Sequence, residues 1–270
     1  MFKKLFMALL AGLLMMIVIG CGGGGETAAY YEEEVIDGDA AQTAGATGPE
    51  AAGGTAPTAG GATLSGTIQF AGTPKANPVL QMGADPSCQA AHSTPVHAEE
   101  FVVGENGGLG NVFVWVKDFR GGVPAPSTAK LLDQKGCQYI PHVSGVQVGQ
   151  KLQIRNSDPT LHNVHALAKV NREFNEGQPV QGMVSEKQFD KPEVMIRIKC
   201  DVHPWMNSYI GVVPHPYYAV SDEGGSFTIQ GLPPGNYTLE AWHEKLGPQT
   251  QQITVAPSEV KTVSFTFNAT

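Results

Sequence analysis

The stretch Met195–Met206, with the sequence MIRIKCDVHPWM, determines how the rest of the chain is interpreted. Its first half alternates apolar and basic residues, which is typical of a β-strand with one buried face. On such a strand Ile196, Ile198 and Cys200 share the buried face, because successive side chains point to opposite sides. The stretch therefore predicts a strand that carries a cysteine thiol into a β-sandwich and then continues as a loop.

The predicted loop adds His203 and Met206, so that a thiolate, an imidazole and a thioether lie within seven residues. Imidazole and thiolate ligands with a weak axial thioether are those of a blue copper centre. Such a centre needs a second imidazole, for which we predict His162. A lone cysteine is more often a small buried hydrophobic residue, but three ligand types at this spacing favour a metal site.

The N-terminal residues 1–20 are typical of a secretory signal peptide, because two lysines precede a long apolar run. The next motif, VIGC at residues 18–21, resembles the bacterial lipobox. This resemblance implies cleavage before Cys21 and acylation of that residue. Lipid chains would then anchor the protein to a membrane of the cell envelope, on the periplasmic or cell-surface side. A secreted protein with a free Cys21 is the alternative.

Residues 21–63 are rich in glycine, alanine, threonine and acidic side chains and contain almost no large apolar residue. Such a segment cannot bury enough apolar surface to offset the entropy of ordering, so it predicts a disordered linker. The net charge of the 270-residue chain is -8, and much of it falls before residue 51. The rest is nearly neutral and shows no basic patch, which argues against nucleic acid as a partner.

The chain has four cysteines. With Cys21 and Cys200 assigned, Cys88 and Cys137 remain, and two leftover cysteines in an oxidising compartment most often form a disulfide. Alternatively, their thiols could contribute to a second metal site. The histidines near enough in sequence to join that site are His92, His97 and His142.

The chain from residue 64 onwards predicts β-strands and turns with no helix, and therefore an all-β fold. The segment 75–100 is predicted to be irregular, and residues 169–188 are predicted to form a long loop. The predicted strands are 65–70, 101–103, 112–116, 138–143, 152–156, 161–166, 195–199, 209–213, 251–255 and 262–267.

Residues 129–213 resemble a cupredoxin of the amicyanin or plastocyanin type. The residues that carry this resemblance are VGQ at 148–150, NSD at 156–158, HN at 162–163 and the Cys-x2-His-x2-Met spacing at 200–206. The short ligand loop, with a proline after the histidine, is similar to that of amicyanin. Two features depart from the family pattern: Ile198 stands where an aromatic residue is frequent, and His165 is additional.

The resemblance implies a Greek-key β-sandwich with one type 1 copper ion. His162, Cys200 and His203 would be its equatorial ligands and Met206 its axial ligand. Asn163 would hydrogen-bond across to the Cys200 loop and brace it. His165 falls on the opposite strand face from His162, so we expect it at the surface or behind the ligands, with ligation as the lesser alternative.

Residues 220–242 resemble the carboxypeptidase regulatory-like domain, a transthyretin-type β-sandwich, through a DEGG turn, FTI and LPPGNY. The C-terminal part, 214–270, is short for a complete sandwich, and residues 64–128 look like its missing first part. We therefore expect the cupredoxin to be inserted into this second sandwich. Two domains in tandem are the alternative.

Two functions fit these features. The first is a lipid-anchored blue copper protein that passes single electrons to or from a redox protein that the sequence does not identify. The second is a non-redox copper- or zinc-binding or structural surface lipoprotein whose second sandwich binds a protein or glycan. An enzyme is not expected, since His243-Glu244 lacks the second histidine of an HExxH motif. Val202, Pro204 and Trp205 would form a docking patch if exposed, or ordinary packing if buried.

Overall fold

The computed structural model describes residues 60–269, which form sixteen β-strands and one short helix. The predicted signal peptide, Cys21 and nearly all of the predicted linker lie outside this range. The all-β prediction is confirmed. Among the described residues no helix is long and apolar enough to cross a membrane.

The strands are β1 (Ala62–Ala71), β2 (Phe113–Val116), β3 (Lys130–Gln134), β4 (Tyr139–Ile140), β5 (Val143–Gln147), β6 (Lys151–Asn156), β7 (His162–Ala166), β8 (Phe174–Gln178), β9 (Val184–Gln188), β10 (Glu193–Lys199), β11 (Asn207–Val213), β12 (Tyr218–Val220), β13 (Ser226–Leu232), β14 (Gly235–His243), β15 (Gly247–Val255) and β16 (Val260–Asn268). The helix α1 covers Pro86–Ala90, and a 3₁₀ turn at Met82–Ala84 precedes it.

The first and last strands together form one sandwich, which we call the split sandwich. Its two sheets have the strand orders β13-β1-β16 and β12-β2-β14-β15. Strand β1 pairs parallel with β16 and antiparallel with β13, while β2 pairs antiparallel with β12 and β14. Alternate residues of β1 point into one apolar core shared by both sheets, as the alternation in its sequence predicts.

The strands between β2 and β12 form the central sandwich, with strand orders β5-β11-β10-β7-β8 and β4-β3-β6-β9. The ligand-bearing strand β10 lies in the middle of the larger sheet, between β11 and β7. The last two residues of β10, Ile198 and Lys199, pair with both neighbouring strands, so the end of β10 is held from both sides. A second apolar core, which includes Leu132, Ile154 and Ile198, fills the space between the two sheets.

A small apolar cluster joins the two sandwiches. The aromatic ring of Phe113 in β2 stacks on Tyr218 in β12, with ring centroids 5.6 Å apart. These rings lie against Gly211 and Gly145, where an added Cβ would come within 2.3 Å of an aromatic carbon. Glycine is therefore required at both positions for the sandwiches to approach this closely.

Four local predictions were wrong. Residues 169–188 contain β8 and β9, which lie at sheet edges, where polar residues replace the apolar alternation that identifies inner strands. Residues 101–103 form no strand, because the Asn77 side chain pairs with both the N–H and the carbonyl of Phe101 at 2.9 Å. The segment predicted to be irregular contains α1, and β1 begins at Ala62, within the predicted linker.

Candidate metal centre

The end of β10 delivers the predicted ligand loop to the interior. Ile196 and Ile198 are buried, and Cys200, on the same face, is 2% exposed. Two backbone hydrogen bonds close the loop: the Cys200 N–H donates to the Met206 carbonyl at 3.2 Å, and the Met206 N–H donates to the His203 carbonyl at 2.9 Å. The loop is therefore a compact turn that starts and finishes next to the buried sulfur.

Three of the predicted ligands converge. Strand β7 pairs with β10 and begins at His162, so that this imidazole reaches the loop. The Nδ1 atom of His203 lies 3.0 Å from His162 Nδ1 and 3.7 Å from Cys200 Sγ. The ligand atoms of these three buried residues all lie within 4.8 Å of one another. One sulfur and two imidazole nitrogens thus face a common point.

Asn163 lies beside the ligand loop, as the resemblance implies. Its Oδ1 accepts hydrogen bonds from the Asp201 N–H at 2.6 Å and the Val202 N–H at 3.3 Å, and Cys200 Sγ is 3.3 Å from the same oxygen. Its amide nitrogen donates to Asn175 Oδ1 at 2.6 Å. A single buried amide therefore fixes the first half of the loop to β7 and β8.

The surroundings of Cys200 favour its thiolate. Burial raises the pKa of this thiol, but contacts with His162 and with backbone N–H groups lower it to a greater extent. One of these groups is the N–H of His203, which donates to the sulfur at 3.3 Å. A thiolate is the form that binds metals, so the lowered pKa makes this sulfur a suitable metal ligand.

Asp158 contacts His162 on the ring edge that faces away from Cys200 and His203. Its Oδ2 lies 2.9 Å from His162 Nε2, and its carboxylate also accepts the N–H groups of Gly136 and Cys137 at 2.7 and 2.8 Å. Burial lowers the pKa of His162, but Asp158 and the Cys200 sulfur raise it to about 9. The contact directs Nε2 away from the common point and leaves Nδ1 facing it.

Asp85 makes the matching contact with the second histidine. Its Oδ2 lies 3.1 Å from His203 Nε2 and accepts the Thr160 hydroxyl at 2.8 Å. Its Oδ1 caps α1 by accepting the N–H groups of Ser87 and Cys88. Burial raises the pKa of Asp85, but these hydrogen bonds lower it to about 2. The carboxylate is therefore ionised beside the imidazole.

Neither carboxylate was predicted as part of the site. Asp158 belongs to the NSD motif four residues before His162, so its proximity was open to prediction. Asp85 precedes Pro86, which is a recognisable helix start, but His203 lies 118 residues further on. No local pattern links residues so far apart, and only the tertiary fold brings them together.

Cys88 and Cys137 form a disulfide, with their Cα atoms 5.4 Å apart. Because the two sulfurs bond to each other, the alternative of a second thiolate metal site does not hold. The histidines considered for that site have separate partners: His92 contacts the Gly136 carbonyl, His97 the Asn77 carbonyl and His142 the Glu244 carboxylate. The disulfide lies beside the metal centre, with Cys88 Sγ 3.6 Å from His203 Nε2.

Two further residues, Met206 and His165, differ in their surroundings. Met206 is 1% exposed and belongs to the same apolar core as Cys200; its role as axial ligand stays a prediction. His165 pairs through Nδ1 with Asp201 at 3.0 Å and through Nε2 with Glu173 at 2.7 Å. Both of its ring nitrogens thus have carboxylate partners away from the three converging ligands.

The apolar residues of the loop are only partly available at the surface. Val202 is 44% exposed and Pro204 is exposed. Trp205 is half-buried, and its indole N–H donates to the Cys137 carbonyl at 3.1 Å. Trp205 therefore contributes packing between the ligand loop and the disulfide, while Val202 and Pro204 face solvent.

Comparison with known protein families agrees with the sequence resemblance of the C-terminal part. The sequence model of the carboxypeptidase regulatory-like domain family matches residues 210–268, which include β12 to β16. A comparison with curated proteins gives no match.

Similar solved structures are cupredoxins and a copper enzyme. A copper-containing nitrite reductase from Thermus scotoductus SA-01 is 20% identical with a TM-score of 0.30, over 36% of this chain and 25% of that one. A Cu(I) amicyanin variant is 23% identical with a TM-score of 0.28, over 31% and 81%. A purple cupredoxin from Nitrosopumilus maritimus is 19% identical with a TM-score of 0.27, over 31% and 98%. Likenesses this low carry no inference about the metal site, which rests on its own contacts.

Proposed function

We propose that this protein binds one copper ion through His162, Cys200 and His203, with Met206 as a fourth, weaker ligand, and transfers single electrons. The observation that carries the proposal is the convergence of two imidazole Nδ1 atoms and one thiolate sulfur in a buried site. This donor set fits copper, which accepts soft thiolate and imidazole ligands together.

Copper supplies the redox chemistry, since it cycles between the cupric and cuprous states. The contribution of the chain is to keep its ligands in one arrangement for both states. Asn163 fixes the loop, β7 and β10 fix the two ends of the site, and the buried surroundings exclude water. A rigid site needs little rearrangement when an electron arrives or leaves, which suits electron transfer.

A zinc site is the second candidate, and one observation favours it. Each histidine faces a carboxylate through its outer nitrogen, Asp158 for His162 and Asp85 for His203. Carboxylate–histidine–metal arrangements are common at zinc sites. In that case the centre would stiffen the loop, and the split sandwich would bind a protein or glycan.

Colour distinguishes the two candidates. We expect the full-length protein, purified in detergent, to develop an intense blue band when copper(II) is added, and to lose it reversibly on reduction. Cys200→Ser should abolish the band, and His162→Ala should abolish or strongly shift it. The matched control His97→Ala, at an exposed histidine, should keep it. A folded protein that binds zinc and stays colourless with copper would contradict the electron-transfer proposal.

The proposal also includes a lipid anchor at Cys21, which would place the copper centre in the cell envelope near a membrane-associated redox partner. Support comes from the apolar N-terminal run and the VIGC motif. We expect the mature protein to partition into the detergent phase and Cys21→Ala to partition into the aqueous phase. Equal partition of both forms would show that no lipid is attached there.

A further inference from the structure

The two candidate histidines are held in the same way on their outer edges. Each has Nδ1 directed at the common point and Nε2 within 3.1 Å of a carboxylate oxygen. We propose that Asp85 and Asp158 are positioning residues that, linked by the Cys88–Cys137 disulfide, hold both imidazoles and favour the cupric over the cuprous state. This inference rests on the proposed copper site and concerns how the chain tunes it.

The two cysteines of the disulfide contact the two carboxylates through their backbone N–H groups. The N–H of Cys88 donates to Asp85, and the N–H of Cys137 donates to Asp158. Gly136 and Cys137 both have positive φ values, 62° and 53°, and this backbone turns two successive N–H groups towards Asp158. Each half of the cystine thus fixes one carboxylate, and each carboxylate fixes one histidine.

The two carboxylates differ in their surroundings. The side chain of Asp158 is 9% exposed, and its backbone N–H donates to Asn156 Oδ1 at 2.9 Å. The side chain of Asp85 is 20% exposed. This residue is the N-cap of α1, in a segment that lies between β1 and β2 in the sequence. The chain before the central sandwich therefore supplies a part of the metal centre that the strands of that sandwich do not provide.

These contacts have a defined electrostatic consequence. A carboxylate that accepts the Nε2–H of an imidazole fixes the orientation of the ring, so that Nδ1 is the ligand atom, and makes Nδ1 a more basic ligand. Two nearby negative charges also stabilise a doubly charged ion more than a singly charged one, most strongly where water is excluded. Removing either charge should therefore weaken copper(II) binding more than copper(I) binding and raise the reduction potential.

The test compares Asp85→Asn and Asp158→Asn with a matched control, Asp118→Asn. Asp118 also accepts a backbone N–H and a hydroxyl, both from Thr238, but on the split sandwich. In the full-length protein, copper(II) affinity should fall by about 10- to 100-fold in each site variant, with a smaller fall for copper(I). A tenfold difference between the two losses corresponds to a rise of about 59 mV. Asp118→Asn should leave both affinities unchanged.

Asp85 is the more informative position, because it caps a short peripheral helix and asparagine is also a good cap. Asp85→Asn should therefore fold even if Asp158→Asn does not. Cys88→Ala/Cys137→Ala should raise the potential in the same direction. A folded Asp85→Asn protein with a blue band and an unshifted potential would overturn the inference and leave the copper site intact. A wild-type protein that binds no copper would overturn both.

Discussion

The split and central sandwiches have different interiors. The core of the split sandwich consists of apolar residues contributed by both sheets. Of the polar side chains that are buried in residues 60–269, most lie in the central sandwich, among them Gln134, Asn156, Asp158, Asn163 and Gln178. Apolar burial supplies folding free energy without directional requirements, whereas buried polar groups must each find a partner. The interior of the split sandwich therefore serves mainly stability, whereas part of the interior of the central sandwich holds the polar residues of the candidate metal site.

The largest expected effect tests the stability half of this contrast. Phe227 is 1% exposed, and its ring lies over Gly66, where an added Cβ would be 2.1 Å from it. Phe227→Ala should lower the free energy of unfolding by about 3–5 kcal/mol, because it removes a buried ring and leaves a cavity. Denaturant unfolding measures this loss.

Phe174→Ala, at a half-buried ring on edge strand β8, is the comparison for Phe227→Ala. It should lower the free energy of unfolding by a smaller amount. The copper band per folded molecule should be unchanged in Phe227→Ala. If the fully folded Phe227→Ala protein lacked the copper band, the split sandwich would also shape the site. The proposed difference between the two interiors would then be wrong.

A smaller effect is expected at an ion pair that joins the two sandwiches. His142 Nε2 lies 2.7 Å from Glu244 Oε1, and both side chains are at most 10% exposed. Burial lowers the pKa of His142, but Glu244 and Glu99 raise it above its ordinary value. Burial raises the pKa of Glu244, but His142 lowers it below its ordinary value. His142→Gln should therefore lower the free energy of unfolding by about 2 kcal/mol at pH values where both partners are charged.

The pH dependence of this pair has a defined sign. A raised histidine pKa stabilises the fold fully below pH 6.5, and the effect is lost as pH rises through the folded value. A lowered glutamate pKa stabilises the fold above pH 4.5, and the effect is lost as pH falls through the folded value. The difference between wild type and His142→Gln should thus be largest between those two values. His97→Gln, which lacks a carboxylate partner among the described contacts, should show no such maximum.

The polar half of the contrast is tested at Asn163. Asn163→Ala should cost about 1–3 kcal/mol in the metal-free protein, because the Asp201 and Val202 N–H groups lose their acceptor. It should also shift or broaden the copper band. Asn236→Ala, whose Oδ1 accepts the exposed Thr254 hydroxyl on the split sandwich, should change neither. An unaltered spectrum for Asn163→Ala would mean that the loop is fixed without this amide.

The smallest effect is expected at Val202. Its side chain is 44% exposed, so Val202→Ser should change the free energy of unfolding by less than about 0.5 kcal/mol and leave the copper band unchanged. Thermal unfolding and the visible spectrum measure both. A loss of 2 kcal/mol or more would show that this part of the loop is packing rather than free surface.

Much of the fold could be predicted because its inner strands obey simple alternation. The residues of β10 and β7 identified a buried face, and the ligand types and spacing on the loop predicted a metal site. The edge strands β8 and β9 were missed because one or both faces are polar, which removes the period that marks a strand. The segment at Phe101 was misassigned because an asparagine side chain takes the place of a neighbouring strand.

The site was predictable only where its residues are close in sequence or match a spacing. Cys200, His203 and Met206 lie on one loop, and the pairing of β7 with β10 brings in His162. Asp85 and Asp158 act on the histidines through outer nitrogens, a relation that has no spacing rule. The disulfide was expected from the number of cysteines, but its position beside His203 follows from the packing of α1 on the central sandwich.

The pairing of strand β1 has a consequence for the order in which the protein folds. Its residues 63–71 pair along their whole length with residues 260–268 of β16, so the first strand of residues 60–269 cannot complete its pairing until the last one has been synthesised. Until then its apolar face and one hydrogen-bonding edge have no native partner, which exposes the chain to wrong pairing. The central sandwich can complete its own strand pairing earlier, since its strands lie between residues 130 and 213. Closure of the split sandwich is therefore expected to be the late and slow event of folding.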